Sequence, residues 1–279
     1  MERLITPALI VAFGNTLRDD EKSENTITKY MRDLRRFTGF AAERSISKAL
    51  TLAYKAKLEK RYTPASANSM LAALNSFLRY AEWHDCCVKP FKVQKKTYCS
   101  EDMELTKAEY VALVRAAEEK RRERLSLLLQ TICGTGIRVS EVTHITVETV
   151  VKGEAVVSCK GKTRTIFIVS ALRKKLLKYA AKQGIEAGMI FVTQSGKPLN
   201  RSNIWRDMKS LCKEAGVSPG KVFPHNFRHL FARTFYRGEK DIAQLADILG
   251  HSNINTTRIY TISTGAEHKR RMEKMNLIL

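Results

Sequence analysis

The segment HNFRHLFARTFY, beginning at His225, sets two histidines and an arginine within about one helical turn, while Leu230, Phe231, Ala232 and Phe235 give the same stretch an apolar side. Apolar residues at that spacing predict a helix packed on a core. Imidazole and guanidinium groups persist beside a core only when paired or in use. Any fold of this chain must therefore bury one side of the helix and give the other a polar task. A second stretch, LGHSNINTTRIYT, starts at Leu249 and ends its polar run on Tyr260.

A length of 279 residues suits roughly two domains, each able to bury a core without disulfide or metal staples. The 49 Lys and Arg against 28 Asp and Glu leave a formal charge of +21, a field that attracts polyanions and makes nucleic acid the leading partner. No apolar run reaches the ~18 residues of a spanning helix, so no membrane association is expected. The six cysteines, at 86, 87, 99, 133, 159 and 212, lack CxxC or zinc-finger spacing. They read as reduced thiols. MERLITPALIVAFG lacks the features of a secretory signal and reads as a first core helix, so the expected compartment is the cytoplasm, at the nucleoid.

TITKYMRDLRRFTGF places Ile27, Tyr30, Met31, Leu34 and Phe37 on one helical stripe and Lys29, Arg32, Arg35 and Arg36 on another side. ISKALTLAYKAKLEKRY reads as a further helix. Thr63-Pro64 starts another, SANSMLAALNSFLRYAEWH, with Met70, Leu71, Leu74, Phe77, Leu78 and Ala81 as its core stripe. Residues 1–90 are thus expected to be an all-helical unit with a basic surface. Residues 91–102 read as a basic linker; Lys89, Lys92, Lys95 and Lys96 gather at this junction. Residues 103–279 form the second unit, opened by a Thr106-x-x-Glu109 capping box. Three strands are expected there, in VETVVKG, EAVVSCKG and TRTIFIV, with a short fourth in MIFVT among further helices. The fold class is mainly α with a small antiparallel sheet, in two domains.

In chain order the reactive residues are Arg138 in GTGIRVSE, Lys160 in CKGKTR, His225 and Arg228, His251, and Tyr260. Cationic and proton-transferring groups with no paired carboxylates at metal-ligand spacing suit a phosphodiester transition state stabilised by arginine; no metal and no cofactor are expected. His225 and Arg228, three apart, emerge on one helix face and reach one phosphate together. Gly250 is expected to end a helix in a left-handed cap, after which Asn255 or Thr256 caps a short helix presenting Tyr260. Glu141 is expected to orient Arg138, and His229 to support the pocket.

The set GTGIRVSE, CKGKTR, HNFRH and LGHSNINTTRIY, in this order, resembles the catalytic domain of the tyrosine recombinases, the phage-integrase and Xer-like family. The helical residues 1–90, with TKYMRDLRRF, look like that family's core-binding domain. The resemblance implies a site-specific recombinase that cleaves and rejoins DNA without ATP or metal. Arg138 and Arg228 would hold the nonbridging oxygens, Lys160 would protonate the leaving 5′-oxygen, and His225 would assist proton transfer. His251 would bond the phosphate, and Tyr260 would form a 3′-phosphotyrosyl link. CKGKTR is one residue shorter than the common family form, which leaves Lys162 as the alternative to Lys160. The resemblance also implies double-stranded DNA with inverted-repeat sites as substrate, a homotetramer on two sites, accessory DNA-bending or directionality proteins, and an origin in a mobile genetic element. Residues 263–279 would be a tail docking on its own domain or on a neighbouring protomer. Two other functions share parts of this signature: a type IB topoisomerase, and a catalytically silent DNA-binding regulator.

Overall fold

The computed structural model describes residues 3–93, 103–159, 162–251, 253–260, 270 and 272–275. The chain divides into two compact units, Met1–Lys95 and Lys96–Leu279. No helix among the described residues is long and apolar enough to cross a membrane.

The first unit packs α1 (Pro7–Asp19), α2 (Glu24–Ala41), α3 (Lys48–Arg61) and α4 (Pro64–Tyr80), followed by a short 3-10 turn at His84–Cys86. Thr6, Ser47 and Thr63 each accept a backbone N–H at a helix start, satisfying a donor that has no partner inside the helix. The α2 stripe is buried as its spacing predicts, with Ile27, Leu34 and Phe37 almost inaccessible and Tyr30 and Met31 packed beside them. Phe13 meets Phe77 edge-on at 5.4 Å. Two α4 asparagines fasten the outgoing chain: Asn75 exchanges two hydrogen bonds with Val88, and Asn68 two with Phe91. The helix expected to run through His84 stops at Tyr80.

The second unit contains α5 (Lys107–Glu119), α6 (Glu123–Thr135), a 3-10 turn (Val139–His144), α7 (Val147–Lys152), the hairpin β1 (Glu154–Cys159) and β2 (Lys162–Phe167), α8 (Ser170–Lys182), α9 (Arg201–Lys209), α10 (Pro224–Glu239), α11 (Ile242–Leu249), α12 (Ile254–Thr257) and a 3-10 turn at Arg258–Tyr260. The Thr106–Glu109 capping box is present in both directions. VETVVKG, expected as a strand, is α7. Its β-branched residues favour extended backbone, but Thr146 caps the Thr149 N–H and Gly153 closes the turn at φ +87°, so local capping overrides propensity. MIFVT forms isolated bridges, Thr146 with Met189 and Val192 with Pro198, in place of a strand. The sheet has two strands in antiparallel register, with Ala155 opposite Ile166 and Val157 opposite Arg164. Lys160, Lys95, Lys96 and most of the tail lie outside the described residues; Met272 and Met275 are exposed.

Candidate active site

Arg138 enters the site by way of Gly136, which ends α6 in the left-handed conformation at φ +64°. A Cβ there would come within 2.5 Å of the Phe231 ring, so only glycine brings the two segments this close. Glu141 then accepts from both the Arg138 backbone N–H and its Nη1, each at 2.9 Å. This is the orienting contact expected from the sequence.

Glu141 also holds a residue that sequence reading missed. Arg164 Nη2 donates to its Oε2 at 2.6 Å, and both side chains are nearly closed to solvent, at 8% and 6%. The signal was legible in TRTIFI: Arg164 takes the inward phase of Ile166 on β2, which Ile168 continues just past the strand, and a charged residue in an apolar phase is there for a reason.

Arg228 projects from α10 into the interior and is 2% exposed. It donates to the carbonyls of Gly136 and, at 2.7 Å, Leu249, and its Nη2 lies 3.2 Å from His251 Nε2. A guanidinium only donates, so Nε2 is the acceptor; the ring proton sits on Nδ1 and points to Thr257 Oγ1 at 2.9 Å. Asn253, and neither Asn255 nor Thr256, caps α12, accepting from the Asn255 N–H. Gly250 ends α11 at φ +63° as expected.

Tyr260 is 3% exposed, stacked on His251 with centroids 5.9 Å apart and met edge-on by His229 at 4.7 Å. His225 continues the row, 4.4 Å from His229. Contacts among Arg228, His251, Tyr260, His229 and His225, with Arg138 on the adjoining Gly250 carbonyl, bring the expected residues into one place. Beside them a cleft of about 400 Å³ is lined by Arg138, Glu141, Arg164, Asp247 and His251, while Arg228, His225 and Tyr260 lie outside its lining.

Three guanidiniums here outnumber the carboxylates, the buried Glu141 and the exposed Asp247 that also lines the cleft. The titrating groups respond accordingly. Burial, then the charges of Arg138 and Arg164, bring Arg228 down to about 10. Burial followed by repulsion from Arg228, Arg138 and Arg164 takes His251 to about 4. His229 also falls to about 4, through burial and then His225 and Arg228, and His225 is lowered by burial, Arg228, Arg138 and Arg201. Burial would raise Glu141, but the hydrogen bonds from Arg138 and Arg164 hold it below the usual carboxylate range. Such a pocket is short of an anion.

In the first unit the expected DNA-contacting cations cluster differently. Lys29 donates to Asp33 Oδ2 at 2.7 Å and to the Ser69 carbonyl, Arg32 lies 3.3 Å and Arg36 3.9 Å from Asp33, and Arg35, Lys89 and Lys92 are exposed.

Residues 103–267 match the model of the phage integrase family, and residues 10–85 that of the phage integrase N-terminal SAM-like domain. The chain belongs to the phage integrase family. Among relatives of this phage-integrase chain, a tyrosine recombinase XerA of Pyrococcus furiosus is 28% identical over 287 residues, 99% of this chain and 97% of its own length. That of Thermococcus kodakarensis is 30% identical, covering 97% and 96%. The Tn1549 transposon integrase, solved with transposon right-end DNA, shares the fold with TM-score 0.73 at 17% identity, covering 97% of this chain and 99% of that one. A lambda integrase tetramer bound to a Holliday junction gives 0.73 at 19% identity, covering 91% and 76%. This family does not favour the topoisomerase or silent-regulator reading.

Proposed function

We propose that the chain is a site-specific DNA recombinase that cleaves and rejoins strands through a 3′-phosphotyrosyl intermediate. The Tyr260 oxygen attacks phosphorus as the bond to the 5′-oxygen breaks; Lys160 supplies the proton that oxygen takes up, with Lys162 its alternative, and His225 helps remove the tyrosine proton. Because the phosphotyrosyl diester conserves the energy of the broken phosphodiester bond, a second strand's 5′-hydroxyl displaces Tyr260 without ATP.

Arg138 and Arg228 hold the nonbridging oxygens, as planar guanidiniums suit phosphate. To donate to the phosphate, His251 must gain a proton on Nε2, and the phosphate's own negative charge favours that gain against the three arginines. The observation that carries the reading is the convergence of Arg138, Arg164 and Arg228 on one helix end beside a tyrosine stacked on His251.

Residues 1–90 serve as a core-binding unit, with Lys29, Arg32, Arg35, Arg36, Lys89, Lys92, Lys95 and Lys96 on phosphates; 91–102 link it to the catalytic residues 103–279. The substrate is double-stranded DNA with inverted-repeat sites, two of them held by a homotetramer, with accessory DNA-bending or directionality proteins. The setting is a mobile genetic element acting at the nucleoid in the cytoplasm. The lambda integrase tetramer on its junction supports the assembly.

The test is a suicide duplex, nicked beside the cleavage point so that rejoining is blocked. Wild-type protein accumulates at the 3′ end, while Tyr260→Phe binds the duplex equally and forms no adduct. A covalent adduct in the Phe variant refutes the nucleophile.

A further inference from the structure

The carboxyl end of α11 shows how the site's cations are held before any phosphate arrives. A helix leaves its last carbonyls without partners inside the helix. Here the left-handed Gly250 folds the chain back, so that the Gly250 N–H bonds to the Ala246 and Asp247 carbonyls and the His251 N–H to that of Ala246. The next three carbonyls go to three arginines from three elements. Arg164 of β2 takes Ile248, Arg228 of α10 takes Leu249 at 2.7 Å, and Arg138, at the start of the 3-10 turn, takes Gly250 at 3.3 Å. Cations at this end also complement the helix dipole.

Two of these arginines hold the phosphate in the recombinase reading; Arg164 has no part in it. We propose that Arg164 is a positioning residue for the phosphate pocket: anchored on the Ile248 carbonyl and occupying Glu141 Oε2, it keeps Glu141 from closing a two-pronged pair on the Arg138 guanidinium and so leaves Arg138 available to the phosphate.

A carboxylate and a guanidinium prefer to pair through two parallel bonds. Glu141 does not offer its second oxygen to the Arg138 guanidinium, because Oε2 is taken by Arg164 Nη2 and the Arg138 backbone N–H. Without Arg164, Glu141 would face Arg138 alone, with both oxygens free to pair with its guanidinium, and the pocket would lose one of its three cations. The arrangement is expensive to keep. Among the described residues the Arg164 Nε is buried with no hydrogen-bond partner, and a buried unsatisfied donor costs about 1–3 kcal/mol. Gly250 makes room for it: a Cβ there would stand 2.4 Å from Arg164 Cδ.

This inference rests on the recombinase reading, and the experiment separates the two. Full-length Arg164→Gln and Arg164→Lys are compared with wild type for DNA affinity and for single-turnover adduct formation on the suicide duplex. Arg164→Gln is expected to slow the covalent step roughly 10–100-fold, the range for partners that orient a group touching the substrate, with affinity within about threefold. Lys, which keeps the charge beside Glu141, restores most of the rate. Because Arg164 acts through Arg138, the double variant Arg138→Ala/Arg164→Gln should be no slower than Arg138→Ala alone. A wild-type rate in Arg164→Gln, a loss confined to affinity, no rescue by Lys, or additive losses in the double variant would each overturn the proposal. If Arg164→Gln does not fold, Arg164→Met, which keeps an unbranched stem, replaces it under the same criteria. A wild-type chain that forms no adduct overturns the recombinase reading, and this inference with it.

Discussion

Asp33 and Glu141 are both buried carboxylates facing several cations, and their surroundings differ in kind. Around Asp33 the cations come from its own helix, at Lys29, Arg32 and Arg36, with side chains 32%, 59% and 49% exposed. Around Glu141 they come from separate elements, Arg138 at 32% and Arg164 at 8%, with the 2%-exposed Arg228 behind them. In the helical cluster Arg32 and Arg36 are half in water and can turn toward a phosphate, while Lys29, bonded also to the Ser69 carbonyl, keeps the buried Asp33 paired. In the second cluster Arg164 and Arg228 are desolvated, and all three arginines are held by carbonyls of one helix end, so their positions are set before substrate binds. One arrangement suits affinity along a backbone of many charges; the other suits the stabilisation of charge at one phosphorus.

The largest effect expected from breaking this contrast is at Arg228. Arg228→Lys keeps a charge but replaces a planar fork bonded to two carbonyls and His251 with a single ammonium. The covalent step on the suicide duplex should fall by about 10²–10³-fold, the loss typical of removing one preorganised donor, with affinity nearly intact. An equally large fall from an α2 substitution would erase the distinction.

Acid sharpens it next. His229 and His251 titrate at about 4 in the folded chain, below the ordinary value of 6.5. Between those values the unfolded chain binds more protons than the folded one, so their contribution to stability is complete above about pH 6.5 and is lost as pH falls toward 4. The melting temperature should decline over that window, and His251→Gln, neutral throughout, should decline less. Bound DNA should reduce the decline by raising the His251 value.

A smaller effect is expected from Arg35→Ala/Arg36→Ala on α2. Affinity should weaken, and the log–log salt slope should flatten by about 0.9 for each phosphate left without its cation, while the covalent step at saturating protein is unchanged. A slower covalent step at saturation would contradict the division of labour. Smallest of all is Asp33→Asn. Asn removes a desolvated charge together with its pairing to the cations, two effects of opposite sign, so unfolding in denaturant should move little and DNA affinity should hold or rise slightly.

Much of the molecule was legible because its causes are local. The α2 stripe follows from a period of 3.6, the starts at Thr63 and Thr106 from donors a few residues away, and the left-handed Gly250 from the absence of a Cβ. The same locality misled at VETVVKG, where β-branched residues suggested a strand and a threonine cap made a helix. Motif order along the chain also named the residues that the fold collects around Tyr260.

What the sequence by itself determined was therefore most of the elements, the excess of positive charge and a set of candidate side chains, since each depends on neighbours within a turn, on composition or on motif order. Tertiary structure alone decided which distant partner each arginine of the site meets. Arg164 reaches Ile248 across 84 residues, Arg228 reaches Gly136 across 92 and Arg138 reaches Gly250 across 112. No periodicity encodes such pairs; they exist because packing α10, α11 and the hairpin together buries helix-end carbonyls that must find donors, and the arginines supply them.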